Sequence, residues 1–214
     1  MNTKPFSRLD RIIDQCDDGL RTLFAPAPSA ERANPAAGVV ETNLVDAERE
    51  LSARLMRVNH AGEVCAQALY RGQAASAQTP GVRKKLAQSA AEENDHLAWT
   101  EARINELGSH TSYLNPIWYA GSFIIGALAG LVGDKWSLGF VAETERQVVV
   151  HLKEHLARLP TQDQASRVVL EQMCKDEGHH ATVAIEAGAA PLPTAARRLM
   201  RFSAKIMTRT AYWI

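Results

Sequence analysis

The sequence predicts an all-α fold built on an antiparallel four-helix bundle, and three observations carry that reading. Glu93-Asn94-Asp95-His96 and Glu177-Gly178-His179-His180 repeat one Glu-x-x-His spacing. Glutamates Glu63 and Glu145 stand thirty and thirty-two positions upstream of the two motif glutamates. Midway through each interval lies a turn signal, Gln78 beside Thr79-Pro80-Gly81 and Thr161 beside Leu159-Pro160. A helix hairpin folded at each turn brings its two glutamates to one height. Residues i and i+3 share a helix face about one turn apart, so each Glu-x-x-His presents a carboxylate and an imidazole to the same point.

Two such hairpins deliver four glutamates and two histidines to one level of the bundle. Unpaired charges in an apolar interior cost several kcal/mol apiece, and two divalent cations would balance four carboxylates. The arrangement matches the known pattern of ferritin-like di-metal bundles, one Glu from each of two helices and a Glu-x-x-His from each of the other two. The candidate metal ligands are therefore Glu63, Glu93, His96, Glu145, Glu177 and His180. A single Glu-x-x-His reads as readily as a solvated pair, but Glu93 sits among Ala90, Ala91, Leu97 and Ala98, which does not suit an exposed face. Carboxylate and imidazole sets accept iron, manganese or zinc; four glutamates with two histidines favour a redox metal that activates oxygen.

At 214 residues and 46% hydrophobic content the chain can bury one sizeable core. Three parts are expected: residues 1–42 as an amphipathic helix and linker, 43–190 as the bundle, and 191–214 as a basic terminal helix. Formal net charge is zero, so nothing global points to nucleic acid. Cys16, Cys65 and Cys174 contain no Cys-x-x-Cys, which argues against a disulfide framework and for a reducing compartment with the cysteines in the core. Charges from Arg8 to Asp18 interrupt any apolar core of a secretory signal, and the expected location is cytoplasmic.

In chain order, Phe6, Leu9, Ile13, Leu20 and Leu23 recur at near-helical spacing and predict a short amphipathic helix over 6–24. From Ala25 to about Thr42 the Ala and Pro content reads as a linker or flexible arm with no catalytic role. The first long helix runs from Asp46 to about Gln78 on Leu51, Leu55, Val58 and Leu69, with Gly62 directly before Glu63. Glycine weakens a helix by about 1 kcal/mol relative to alanine, so close packing or metal access is expected there. The second, from about Gly81 to Leu107, carries an inward stripe through Leu86, Ala90, Glu93, Leu97 and Ile104.

Residues 117–133 form the least polar stretch of the chain. They fall short of the ~20 residues that span a bilayer, and with four glycines they read as a buried or membrane-dipping crossover rather than a true span. Gly126-x-x-x-Gly130 could let another helix pack closely. Helices follow over about 136–159 and 162–187, closed by Pro191 and Pro193. From Thr194 to Ile214 come Arg197, Arg198, Arg201, Lys205 and Arg209 with no acid, interleaved with Leu199, Phe202, Ile206 and Trp213. Such a basic amphipathic helix suits an anionic membrane surface.

Several polar positions need sorting. Glu143 and Glu145 lie about 200° apart on a helix, and the stripe through Leu138, Glu145, Val148 and Leu152 favours Glu145 as the inward one. Asp176 and Glu92, each directly before a motif glutamate, are candidates to hold the outer nitrogens of His96 and His180, since ligand imidazoles need a partner that fixes their tautomer. His60, His110, His151, His155 and His179 read as surface or hydrogen-bonding groups, with His151 and His155 candidates for proton donation near the site.

The residues now carry a resemblance. Arg57-Val58-Asn59-His60-Ala61-Gly62-Glu63, Glu93-x-x-His96, Val141-Ala142-x-Thr144-Glu145 and Asp176-Glu177-x-x-His180 resemble the demethoxyubiquinone hydroxylases of ubiquinone biosynthesis, over about residues 45 to 188. The first block is the most specific, because generic ferritin-like proteins lack it. The resemblance implies a ferritin-like bundle with two iron ions (Fe2+/Fe3+), terminal ligands Glu63 and Glu145, and bridging Glu93 and Glu177 beside His96 and His180. It also implies an oxygen-dependent monooxygenase: one atom of O2 enters the unsubstituted ring C–H of a prenylated demethoxybenzoquinol and the other leaves as water. A polyprenyl substrate lives in the bilayer, so a peripheral enzyme on the cytoplasmic side of the cell membrane, meeting other ubiquinone-biosynthesis proteins, is the implied setting. The family is associated with NADH, yet no Gly-x-Gly-x-x-Gly loop is present; a separate reductase and delivery through bound quinone both stay open. The competing reading is a ferritin-like iron-handling protein with no organic substrate, which would not need the apolar stretch or the basic tail.

Overall fold

The computed structural model describes residues 8–25, 30–40 and 43–214. Phe6 of the expected first helix, residues 26–29 of the linker and Thr42 lie outside the described residues. Seven α-helices follow in order among the described residues: α1 (Arg8–Phe24), α2 (Asp46–Ser76), α3 (Pro80–Glu106), α4 (Asn115–Val132), α5 (Asp134–Arg158), α6 (Gln164–Glu186) and α7 (Thr194–Ala211). Helices α2/α3 and α5/α6 form two hairpins that pack into a ferritin-like bundle, α4 lies along α2 as the apolar crossover, and α1 and α7 are added outside.

Local chemistry sets the boundaries. The Val45 amide donates to Glu48 Oε2 (3.1 Å), closing the start of α2. At the start of α3, Pro80 follows Thr79, whose hydroxyl accepts from the Val82 amide. Asp163 caps α6 by accepting from the Ser166 amide (3.0 Å) and also receives the Arg103 guanidinium (2.9 Å), a buried ion pair that ties α3 to the α5–α6 turn. The α2–α3 turn is held from α5: the Asp134 carboxylate accepts from the amides of Gln78 and Thr79, both at 2.9 Å. Gly133, at φ +126°, breaks the chain between α4 and α5 in a backbone region that side chains disfavour.

Helix α4 departs from a buried crossover. Of its residues only Asn115, Tyr119, Gly126 and Gly130 are buried. Backbone meets backbone along that face: a Cβ on Gly126 would strike Leu69 O, and one on Gly72 would strike Phe123 O and lie 2.8 Å from Ala127 N. The opposite face leaves Ile117, Ile124, Ile125, Leu128, Leu131 and Val132 exposed. By length and composition α4 is the one helix among the described residues apolar enough to cross a membrane, and only 22% of it is buried, unlike the core helix of a soluble protein. Eighteen residues rise about 27 Å, close to the ~30 Å of a bilayer core. Helix α7 adds exposed Leu199, Phe202 and Ile206, and α1 adds Ile13, Leu20 and Phe24. Together these surfaces mark a membrane-associated protein.

Three expectations are corrected. Gly62 is not a close-packing glycine, because a Cβ there would meet nothing within 4 Å. Cys16 is exposed rather than in the core, and Cys65 and Cys174 are half-buried; all three are free thiols. The segment 30–40 is no free linker: Ala30 and Ala36 pack on the core beside Trp99, and a turn forms with the Ala37 amide donating to Asn34 O (2.9 Å).

Candidate metal centre

Each bundle helix supplies one glutamate to the interior. Two overlapping groups result, Glu63–Glu93–His96–Glu177 and Glu93–Glu145–Glu177–His180, in each of which the ligand atoms lie within 4.8 Å of one another. All six residues are buried. Glu93 and Glu177 belong to both groups, whereas Glu63 and His96 belong to one and Glu145 and His180 to the other.

The imidazoles point their Nδ1 atoms inward. His96 Nδ1 lies 3.1 Å from Glu93 Oε2, 3.1 Å from Glu177 Oε1 and 3.4 Å from Glu63 Oε2. His180 Nδ1 lies 3.0 Å from Glu177 Oε2 and 3.5 Å from Glu93 Oε1. Their outer nitrogens cross the bundle: His96 Nε2 meets Asp176 Oδ2 at 3.0 Å and His180 Nε2 meets Glu92 Oε2 at 2.8 Å. A carboxylate accepts from N–H only, so each Nε2 donates to its outer carboxylate and each Nδ1 donates to the glutamates. To bind a cation each Nδ1 would give up its proton while Nε2 keeps its own.

The buried carboxylates of the cluster repel one another through their like charge. Burial pushes the Glu63 carboxyl well above its usual range, with the His96 hydrogen bond opposing and the charges of Glu93 and Glu177 adding to the rise. Burial and the charges of Glu177 and Glu93 raise Glu145 likewise. Glu177 goes the other way: burial pushes it up, but hydrogen bonds from His180 and His96 outweigh that and hold it low. Burial pulls both imidazoles down, yet their hydrogen bonds to carboxylates prevail; His96 is raised well above the usual value and His180 to about 9. Two buried carboxylate oxygens, Glu93 Oε1 and Glu145 Oε2, accept no hydrogen bond from the described residues. Oxygens orphaned in this way, beside inward-facing imidazole nitrogens, fit the donor set of a pair of divalent cations.

Glu143 turns away from the cluster, accepting from Gln147 Nε2 (2.7 Å) and lying 3.8 Å from Arg201 on α7. The His151 ring lies tilted by 58° against His155 with centroids 3.9 Å apart, its Nε2 without a hydrogen-bond partner among the described residues, and His155 Nδ1 meets Asn59 Oδ1 at 2.8 Å. No hydrogen bond joins that pair to the six residues among the described contacts. His60 is buried beside Asn115, and Arg57 donates to His110 O and Ser109 Oγ, both at 2.8 Å, fixing the α3–α4 connection.

Two residues at the centre escape the sequence pattern. The Tyr70 hydroxyl donates to Glu145 Oε1 and thereby orients that carboxylate; its two-turn offset from Glu63 on α2 was the available signal. Arg32, from the segment read as a linker, donates to Asp95 Oδ2 (2.6 Å) and Asp176 Oδ2 (2.8 Å). Nothing in an Ala- and Pro-rich context marks it. Beside it opens a cavity of about 330 Å³ lined by Glu31, Arg32, Glu92, Asp95, Asp176 and His180 among others.

A model of the family described as ubiquinone biosynthesis protein COQ7 matches residues 50–211. Similar proteins named 3-demethoxyubiquinol 3-hydroxylase occur in Nitrosococcus oceani, 58% identical over 214 residues and 100% of both chains. Others are from Aromatoleum aromaticum, 57% identical over 96% of this chain and 100% of the relative, and Acinetobacter baumannii, 54% identical over 98% and 99%.

Proposed function

The chain belongs to the COQ7 family of ubiquinone biosynthesis proteins, and from that premise we infer that it is a di-iron monooxygenase that hydroxylates a prenylated demethoxybenzoquinol. The observation that carries the reading is the convergence of four buried glutamates and two buried histidines in two groups sharing Glu93 and Glu177. On this reading two iron ions would be held by the two groups, Glu63 and His96 serving one, Glu145 and His180 the other, with Glu93 and Glu177 available to both. When bound, the irons supply oxygen activation and the redox equivalents of hydroxylation.

The protein's own groups do the rest. Asp176 and Glu92 hold the outer N–H of His96 and His180, so that the inward Nδ1 atoms are the ones that would lose a proton and ligate a metal. Tyr70 occupies one oxygen of Glu145 and leaves Oε2 for ligation. Burial of all six ligands keeps bulk water from the reacting centre. A quinol with a polyprenyl tail reaches the centre from the bilayer, and the exposed apolar faces of α4, α7 and α1 suit a peripheral position on the cytoplasmic leaflet, where the α7 cations meet anionic lipid.

The test is conversion of a short-tailed demethoxyquinol by detergent-purified, iron-loaded protein, with NADH alone or with a reductase added. The reading predicts an oxygen-dependent hydroxylated product carrying one atom from labelled O2. Two bound irons with no product under either donor would instead favour an iron-handling role.

A further inference from the structure

Resting on the di-metal reading, the geometry points to a further positioning residue, Arg32. We propose that it clamps the His96 side of the centre and makes the two metal positions unequal in strength. The two histidines differ in what holds their outer partners. On one side, Asp176 Oδ2 accepts from His96 Nε2 (3.0 Å) and from the Arg32 guanidinium (2.8 Å), while Asp176 Oδ1 accepts from Gln172 Nε2 (2.9 Å). Both oxygens of that carboxylate are engaged, and its side chain is only 16% exposed. On the other side, Glu92 receives His180 and the Gln88 amide, is 41% exposed, and has no arginine or lysine partner among the described residues.

Arg32 is itself held in place. Its Nε donates to Asp95 Oδ2 (2.6 Å), and the Glu31 amide donates to Asp95 Oδ1 (2.7 Å), so one buried carboxylate grips both side chain and backbone of the strap. The guanidinium lies 4.8 Å from the centre of the Trp99 ring, which is 5.5 Å from the His96 ring. A planar fork bridging two carboxylates loses little freedom per hydrogen bond. The His96 imidazole is thereby fixed through Asp176, whereas His180 leans on a more exposed glutamate held only by the Gln88 amide of its own helix. Metal ligands with well-held outer partners bind roughly 10–100-fold more tightly than those without.

The test is iron release from the full-length protein, loaded anaerobically with two ferrous ions per chain and mixed with a chromogenic ferrous chelator. Wild type is expected to release iron in two phases, and Glu63→Gln, which touches only the His96 group, identifies the slow one by losing it. Arg32→Gln should speed the slow phase about tenfold and leave the fast phase unchanged. Asp176→Asn should do the same, with little further effect in the double variant, while Glu92→Gln should speed the fast phase alone. Single-phase release in wild type, or equal acceleration of both phases by Arg32→Gln, overturns the proposal. Failure of wild type to take up iron would overturn the metal reading itself, a distinct result.

Discussion

Replacing Gly126 by alanine tests how α4 is fastened to the bundle. The added Cβ would strike the Leu69 carbonyl oxygen and lie 3.0 Å from the Leu69 carbonyl carbon and Cα, all of them backbone of α2. No side-chain rotation relieves that overlap, so the helices must separate. Overpacking of this kind costs about 1–3 kcal/mol, and a clash against a rigid carbonyl belongs near the upper end. Alanine returns about 1 kcal/mol of helix propensity, leaving a net loss of about 1–2 kcal/mol. In a chain of this size that lowers Tm by roughly 2–8 °C. Gly121 on the same helix is the control: a Cβ there meets nothing within 4 Å, so Gly121→Ala should stabilise by up to about 1 kcal/mol. Denaturant unfolding in one detergent compares the two variants directly. Equal stability of Gly126→Ala and Gly121→Ala would refute the backbone contact.

Further outcomes follow from buried polar groups and exposed apolar ones. Burial holds the His60 imidazole down at about 4 against 6.5, so the unfolded chain takes up its proton first. The stability this side chain contributes should be complete above pH 6.5 and fall by about 3 kcal/mol as pH drops to 4; that decline should appear in the difference between wild type and His60→Asn and be flat if His60 is solvated. Arg103 and Asp163 are a fully buried ion pair, so Arg103→Met should cost about 3–5 kcal/mol by stranding the carboxylate, with Asp163→Asn in the same chain recovering part of the loss in urea unfolding. Leu199→Ser with Phe202→Ser removes two exposed side chains of α7, and burial of each in lipid contributes about 1.5–3 kcal/mol. Affinity for anionic vesicles should drop at least tenfold, while unchanged binding would take α7 out of the membrane contact.

Much of the bundle was legible because its function writes the same spacing twice. Glu-x-x-His fixes a helix face, and a turn midway to an upstream glutamate fixes which helices are neighbours. Asp176 and Glu92 were readable as partners of His96 and His180 because each precedes a motif glutamate and so points across the bundle. Interactions that need distant segments brought together left no periodic signal. Arg32 reaches Asp95 and Asp176 across 63 and 144 positions, from a stretch whose composition describes only a loop. The partner of α1 was equally hidden: Asp18 pairs with Arg71, and the Thr22 hydroxyl donates to Gln67, both on α2. For α4, apolar composition said little about which face is covered. Gly126 and Gly130, whose spacing in the sequence already pointed to close helix packing, determine that together with Gly72, by letting two backbones touch.

The most direct test of the account is the number of iron ions bound per chain across single ligand variants, measured by anaerobic ferrous titration. Wild type should bind two. Glu93→Ala and Glu177→Ala, each removing a group common to both clusters, should abolish binding, whereas Glu63→Ala and Glu145→Ala should each retain about one ion. Two irons bound at wild-type strength in both Glu93→Ala and Glu177→Ala would contradict the shared-carboxylate centre on which the function rests.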